Sequence, residues 1–257
     1  MNRRELLAAA GLAPLAGISQ GKEAAQGTKK ELYELRLYQM ASAQKTQALI
    51  EFLGKAAVPA WNRIGVKPVG VFQMADGKKP DVYVLLPHPS LESVLTATHR
   101  LLADAEFLKA GAAFLEAPRK DPAFTRIESS LLLAFDECPK VEVPSQKDSR
   151  IFQLRIYESH SVKKGQKKIE MFNAGGEIAL FRRTGLGVVF FGETLIGTRI
   201  PNLTYMVGFD DDDARKKAWA AFGKHPAWQK LRSDPAYRDT VSNITNLVLR
   251  PAACSQI

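Results

Sequence analysis

Leu35-Arg36-Leu37-Tyr38 is the stretch that decides the fold, because it returns as Leu154-Arg155-Ile156-Tyr157, 119 positions later. Each copy lies in a segment, residues 31–38 or 151–157, in which side chains of different polarity alternate. Such alternation is typical of a β-strand with two unlike faces. The recurrence predicts that one structural unit occurs twice in this chain.

The same order of predicted elements follows each copy of the motif. In the first, a helix over 45–64 precedes strands 69–72 and 82–86, a helix over 91–114 and a strand over 130–135. In the second, a helix over 163–183 precedes strands 188–191 and 203–207, a helix over 214–231 and a strand over 244–249. Each unit therefore predicts the βαββαβ order of a ferredoxin-like fold.

These elements divide the chain into five segments. We assign residues 1–30 to a signal peptide and linker, 31–138 to repeat 1, 139–149 to a proline-containing linker, 150–251 to repeat 2, and 252–257 to a tail.

The faces of the strands predict how the repeats meet. Leu35 and Leu37 share an apolar face of the first strand, which we expect to pack on the helices. The inner strands are apolar on both faces, so the second face of each sheet must also be covered. The other repeat is the most readily available surface to cover that second face. We therefore predict an α+β fold with two tandem repeats packed as a pseudo-dimeric α+β barrel. Arg36, Tyr38 and their repeat 2 counterparts would then point between the two sheets.

The N-terminus predicts export. Arg3 and Arg4 precede an apolar, alanine-rich run over residues 6–18, which is typical of a twin-arginine-like signal peptide for a periplasmic or extracellular protein. A short N-terminal helix is the alternative. No apolar run reaches the 18 residues of a transmembrane helix.

Charge argues against a nucleic-acid partner. The chain has 36 Lys and Arg against 27 Asp and Glu, a net charge of +9. The basic residues beyond the N-terminus are spread along the chain, whereas a nucleic-acid-binding surface concentrates them.

Two kinds of residue are candidates for chemistry. Arg36, Tyr38, Arg155 and Tyr157 can bind an anion or another small molecule, or can form structural ion pairs and hydrogen bonds. No two of the four histidines have metal-binding spacing, so we predict no metal site. His99, on a predicted helix, is the best single candidate for a haem ligand or a general base.

The repeated Leu-Arg-x-Tyr motif, the glycine-containing turn after the first helix, and Lys224-His225-Pro226-Ala227-Trp228 resemble the NIPSNAP family. The resemblance covers residues 31–136 and 150–251 and is weaker in repeat 1, where Phe107 replaces the tryptophan. It implies a fold of the dimeric α+β barrel superfamily, but it carries no catalytic residues over to this chain.

The leading hypothesis is a NIPSNAP-like small-molecule-binding protein with its site between the two sheets, and whether it is an enzyme stays open. The superfamily implies one alternative, a small monooxygenase or a haem-dependent oxidoreductase. The family implies another, a protein-interaction scaffold. Further pairing into a homodimer is compatible with each of these.

Overall fold

Repeat 1 contains four strands and four helices in the computed structural model, which describes residues 29–257; the predicted signal peptide lies outside the described residues. The strands are β1 Leu32–Gln39, β2 Gly70–Met74, β3 Val82–His88 and β4 Arg126–Ala134. The helices are α1 Ala43–Phe52, α2 Val58–Arg63, α3 Leu91–Leu102 and α4 Ala105–Leu115, with a π-helical turn at Leu53–Ala57 joining the first two.

Repeat 2 has the same order of elements. Its strands are β5 Ile151–Glu158, β6 Gly187–Ile196, β7 Asn202–Phe209 and β8 Asn243–Pro251. Its helices are α5 Val162–Phe172, α6 Glu177–Arg183, α7 Asp212–Lys224 and α8 Pro226–Ser233, followed by a short 3₁₀ turn at Pro235–Tyr237.

Each long helix predicted from the sequence corresponds to two consecutive helices, and in the first of them a π-helical turn joins α1 to α2. Asp104 interrupts the helix predicted over 91–114, because its side chain accepts a hydrogen bond from the Phe107 amide and so caps a new helix, α4. In repeat 2, Gly176 adopts a left-handed conformation with φ of 82° directly before α6. Glycine is favoured there because it has no Cβ to clash.

The eight strands form a closed antiparallel barrel in the order β1-β3-β2-β8-β5-β7-β6-β4. Within each repeat the first strand is central, with β1 between β3 and β4, and β5 between β7 and β8. The repeats join where β2 pairs with β8 and β4 pairs with β6. The predicted pair of ferredoxin-like repeats in one α+β barrel is confirmed.

Three apolar cores hold this arrangement together. One lies between the sheet and helices of repeat 1, the second lies between the sheet and helices of repeat 2, and the third fills the barrel interior. The interior core brings together Tyr33, Phe72, Phe152 and Phe190, which are all fully buried. Because both repeats contribute to it, this core couples the two halves of the chain.

The predicted orientation of the first strands is wrong. Tyr33 and Leu35 face the barrel interior, whereas Arg36 and Tyr38 face the helices of repeat 1. The eight strands enclose the apolar interior, where an unpaired charge is costly. The helical layer covers the sheet less completely, so a partly exposed arginine is tolerated there.

No helix within residues 29–257 is both long enough and apolar enough to cross a membrane.

Candidate functional site

A cavity of about 180 Å³ lies between the sheet and the helices of repeat 1. We call it the repeat 1 pocket. Apolar and aromatic side chains form most of its lining, with Arg36, Tyr38 and Thr98 as polar members; the other lining residues are Phe52, Ala57, Trp61, Leu101, Leu102, Phe107, Phe114, Leu115, Phe124 and Ile127. Three of these, Leu102, Leu115 and Ile127, are 39–54% exposed and so mark the side of the pocket that faces solvent.

Arg36 is oriented by a carboxylate on the same face of β1. Its Nε and Nη2 donate to the two carboxylate oxygens of Glu34 at 2.6 and 2.9 Å, a bidentate geometry that fixes the guanidinium plane. Ser129 on the adjacent strand donates to Glu34 at 2.7 Å. The guanidinium carbon lies 5.6 Å from the centre of the Trp61 ring, within cation-π distance. Arg36 is therefore held in place before any ligand arrives.

Glu34 stays ionised under ordinary conditions. Burial by itself raises the pKa of its carboxyl, but His88 and the Arg36 cation outweigh that effect and lower the pKa to about 2. The Arg36–Glu34 pair is thus an ion pair with no net charge at neutral pH.

His88 is the last residue of β3 and is fully buried, although its position before Pro89 predicts a turn residue. Its Nδ1 lies 3.0 Å from Ser93 Oγ, and its Nε2 lies 3.7 Å from a Glu34 oxygen. Within the described part of the chain, that Nε2 has no hydrogen-bond partner. His88 therefore lies behind the Arg36–Glu34 pair and outside the lining of the pocket.

Repeat 2 uses the equivalent space differently. The Arg155 guanidinium carbon lies 4.9 Å from the Trp219 ring centre and 5.1 Å from the Tyr157 ring centre. In place of Glu34 stands Gln153, which accepts a hydrogen bond from Trp219 at 2.6 Å and donates to Asn246 at 2.6 Å. Arg155 Nε is buried and lacks a hydrogen-bond partner among the described residues. Aromatic rings hold Arg155 where a carboxylate holds Arg36.

A buried ion pair adds to the polar interior of repeat 2. Lys168 Nζ donates to Glu177 at 2.8 Å, and the two side chains are only 7% and 3% exposed. Burial raises the pKa of Glu177, and the Lys168 charge opposes the rise. The Lys168 ammonium also lies 4.6 Å from the Phe172 ring centre. These contacts add to the polar and aromatic side chains that surround the arginine of repeat 2.

One pair of aligned residues accounts for much of the difference between the surroundings of Arg36 and those of Arg155. Helices α3 and α7 begin after the capping residues Ser90 and Asp211, and this alignment places Thr98 opposite Trp219. Thr98 lines the repeat 1 pocket, whereas Trp219 lies over its arginine. A small side chain on α3 leaves the space that an indole fills in repeat 2.

His99 does not belong to the site. It lies on α3 next to Thr98, is exposed, and is not part of the pocket lining. Of the side chains that hold haem iron in proteins, which are histidine, cysteine, methionine and tyrosine, the described lining contains only Tyr38. The cavity of about 180 Å³ is also smaller than the range of about 300–1,000 Å³ that is usual for small-molecule sites, so the pocket does not fit haem. Residues 29–257 also contain no cluster of three or more His, Cys, Asp or Glu side chains placed to hold a metal ion.

The predicted site residues form two separate pairs. Arg36 and Tyr38 meet in the repeat 1 pocket, and Arg155 and Tyr157 meet under the helices of repeat 2. Both pairs lie outside the barrel wall, so the prediction that they line a shared cleft between the sheets is wrong. Strand alternation correctly separated the two faces, but it could not show which layer covers each face.

Sequence reasoning missed most of the pocket lining. Thr98, Leu102 and Ile127 are not singled out by the sequence analysis. One usable signal was the alignment of the repeats, in which Thr98 stands where repeat 2 has Trp219. The approach of α4 to α1, which brings Phe114 onto Phe52 with ring centres 4.2 Å apart, has no such signal.

The closed barrel of two ferredoxin-like units, with a helical layer on each half, defines an α+β barrel of the dimeric type with both halves in one chain. The NIPSNAP family model matches residues 33–139 and again 152–256. The protein therefore belongs to the NIPSNAP family.

Solved structures share the fold at low sequence identity. A candidate monooxygenase from Lactobacillus acidophilus has a TM-score of 0.60 at 11% identity, over 87% of this chain and 94% of that one. A second candidate monooxygenase, from Fusobacterium nucleatum, has a TM-score of 0.58 at 9% identity, over 87% and 93%. A heme-binding protein from Thermus thermophilus has a TM-score of 0.45 at 15% identity, over 86% and 91%. No curated protein shows significant similarity to the chain. At these identities the likeness to the two candidate monooxygenases shows the fold alone.

Proposed function

We propose that this protein binds a small aromatic molecule that carries a hydrogen-bond-accepting oxygen, and that the ligand occupies the repeat 1 pocket. The observation that carries the proposal is an apolar cavity of about 180 Å³ with an oriented arginine in its wall. An apolar protein cavity of about 150 Å³ accommodates benzene. The repeat 1 pocket therefore suits one aromatic ring with a small substituent.

Arg36 defines the polar end of the ligand. Its bidentate contact with Glu34 uses Nε and Nη2, which leaves Nη1 as the nitrogen that can donate to a ligand. Because Glu34 already neutralises the guanidinium, a carbonyl or hydroxyl oxygen suits this donor better than a second carboxylate does. The Trp61 ring beneath the guanidinium offers a flat surface for the aromatic part of the ligand.

The lining favours binding over catalysis. Its polar side chains are Arg36, Tyr38 and Thr98, together with the Trp61 indole. Tyr38 is an ionisable side chain within the lining, whereas Glu34 and His88 lie outside the described lining. The ionised Glu34 is committed to Arg36 and Ser129, and His88 faces Ser93. A general base must reach the proton it removes, and neither group is placed to do so.

The test compares acetophenone with ethylbenzene, which has the same ring and nearly the same size but no oxygen. Binding is measured from amide chemical-shift changes in the full chain. We expect acetophenone to bind more tightly and to perturb α3, α4 and β1. The Thr98→Trp variant should abolish these changes, because the indole fills the cavity as Trp219 does in repeat 2.

His99→Trp is the matched control. It places the same indole one residue along α3, on an exposed position outside the pocket, and should bind acetophenone like the unmodified protein. Equal binding of the two ligands would remove the proposed role of Arg36. Undiminished binding to Thr98→Trp would remove the pocket assignment, and turnover of acetophenone with consumption of dioxygen would make the protein an enzyme.

A further inference from the structure

A second cavity, of about 380 Å³, lies inside one end of the barrel. We call it the barrel-mouth cavity. Its volume is within the range of about 300–1,000 Å³ that is usual for small-molecule sites. Both repeats line it, and it shares no residue with the repeat 1 pocket.

The cavity has an apolar floor and a polar rim. Along β1, alternate interior positions run from the buried Tyr33 through Leu35 and Leu37 to Gln39, so polarity increases towards this end of the barrel. Leu247 contributes to the floor from the opposite repeat. A ligand entering here meets charged and hydroxyl groups first and apolar surface last.

Both carboxylates of the lining lie on the repeat 1 side, where Lys79 also lines the cavity. Glu128 on β4 pairs directly with Leu37, and Asp81 directly precedes β3 on the other side of β1. Each carboxylate has one oxygen engaged locally, Asp81 with the Met40 amide at 3.2 Å and Glu128 with Gln39 at 2.8 Å. The second oxygen of each carboxylate is left to face a ligand.

A second positive charge comes from repeat 2. Arg199, in the β6–β7 connection, donates through Nη1 to Thr245 at 3.1 Å, and the same nitrogen lies 3.9 Å from a Glu158 oxygen. Its other two nitrogens are left for a ligand. Its backbone has a φ of 60°, a left-handed conformation that is uncommon for a non-glycine residue and is concentrated at functional sites. Asn202 supports this connection by donating to the Thr198 and Arg199 carbonyls at 3.0 and 3.2 Å.

Tyr83 lines the same cavity as these charges. Burial is the largest cause of the raised pKa of its hydroxyl. The negative charge of Asp81 raises that pKa further, and the positive charge of Arg199 lowers it. Glu128 raises it as well. One hydroxyl in the cavity wall therefore experiences both carboxylates and the guanidinium.

We propose that the barrel-mouth cavity binds a small apolar zwitterion of the amino-acid type. Its ammonium lies between Asp81 and Glu128, its carboxylate faces Arg199, and its apolar side chain rests on the leucines of the floor. The balance of charges favours a molecule that carries both signs over a simple anion or cation. This site is independent of the repeat 1 pocket in both place and chemistry.

The test uses calorimetry on the full chain with L-leucine as the probe. Two analogues each remove one charge: 3-methylbutylamine lacks the carboxylate, and 4-methylpentanoate lacks the ammonium. We expect leucine to bind and each analogue to bind about tenfold more weakly or worse, because a hydrogen bond to a charged group contributes about 1.5–3 kcal/mol. Glu128→Gln and Arg199→Gln should each weaken leucine binding by a similar factor.

Three controls keep the test decisive. Glu128→Gln retains the oxygen that accepts from Gln39, so its fold should persist, and circular dichroism checks this. Arg183→Gln removes an exposed arginine on α6 and should leave leucine binding unchanged. Thr98→Trp, which fills the other pocket, should also leave it unchanged. Absence of leucine binding at millimolar concentration, or equal binding of leucine and 3-methylbutylamine, would overturn the proposal.

Discussion

The two repeats have one backbone plan but opposite uses for the space between sheet and helices. In repeat 1, Arg36 is paired with Glu34, and Thr98 leaves a cavity above them. In repeat 2, Arg155 lies against Trp219, and Gln153 replaces the carboxylate.

The difference shows how one duplicated fold can be packed in two ways. Repeat 2 fills its interior with clustered aromatic rings, among them Phe181 and Phe222 with centres 4.9 Å apart, and with the Lys168–Glu177 pair. Repeat 1 keeps an opening lined by partly exposed apolar side chains. Because the barrel core joins the halves, a tightly packed repeat 2 can support a repeat 1 that contains a cavity.

The largest expected effect comes from removing one member of the buried ion pair. Lys168→Ala should lower the free energy of unfolding by about 3–5 kcal/mol, because Glu177 is left as an uncompensated buried charge. In repeat 1 the aligned position is the apolar Leu49, so the double variant Lys168→Met, Glu177→Leu should be close to neutral. Chemical denaturation measures both, and a severe loss in the double variant would show that repeat 2 needs the charges themselves.

Opening repeat 2 is the next effect in size. Trp219→Thr reproduces the aligned residue of repeat 1 and should cost about 3 kcal/mol, because it removes a large, partly buried side chain together with its bond to Gln153. We expect acetophenone to raise the melting temperature of this variant by more than ethylbenzene does, since Arg155 lines the new space. If neither ligand stabilises it, the indole alone does not account for the missing pocket.

Replacing the carboxylate makes repeat 1 resemble repeat 2 at the arginine. Glu34→Gln should cost about 3 kcal/mol at neutral pH, from a pKa lowered from 4.5 to about 2. A carboxyl with a lowered folded-state pKa stabilises the protein above its unfolded pKa. That stabilisation is lost as the pH falls from about 4.5 through about 2, so the difference between variant and parent should shrink there.

Glu116→Gln is the control for this pH series, because Glu116 is exposed at the end of α4. It should follow the parent at every pH. A pH-independent difference between Glu34→Gln and the parent would mean that Glu34 is not ionised beside Arg36.

The smallest effect is expected at His99. His99→Ala should change stability by less than about 0.5 kcal/mol and leave acetophenone binding unchanged, because the side chain is exposed and away from the pocket. Spectra recorded with added haem should be the same for variant and parent. A Soret band that His99→Ala loses would instead identify His99 as a haem ligand.

Much of the fold was predictable because local patterns carry it. The recurrence of Leu-Arg-x-Tyr indicated the duplication, and apolar residues on both faces of residues 82–86 indicated a second covering layer. The pocket was predictable only in part, because Arg36 and Tyr38 stood out while their neighbours across the sheet did not. Glu34 lies two residues from Arg36, yet Ser129 and His88 reach it only through strand pairing.

By itself, the sequence determined the order of the elements, the duplication and the family, because strand alternation, helix caps and short motifs are local features. The tertiary structure alone decided which face of β1 looks into the barrel, since both faces are covered and alternation treats them equally. It also decided that Arg36 borders a cavity while Arg155 is stacked on Trp219. Those outcomes depend on how closely each helix approaches its sheet, and the volume of side chains distant in sequence sets that approach.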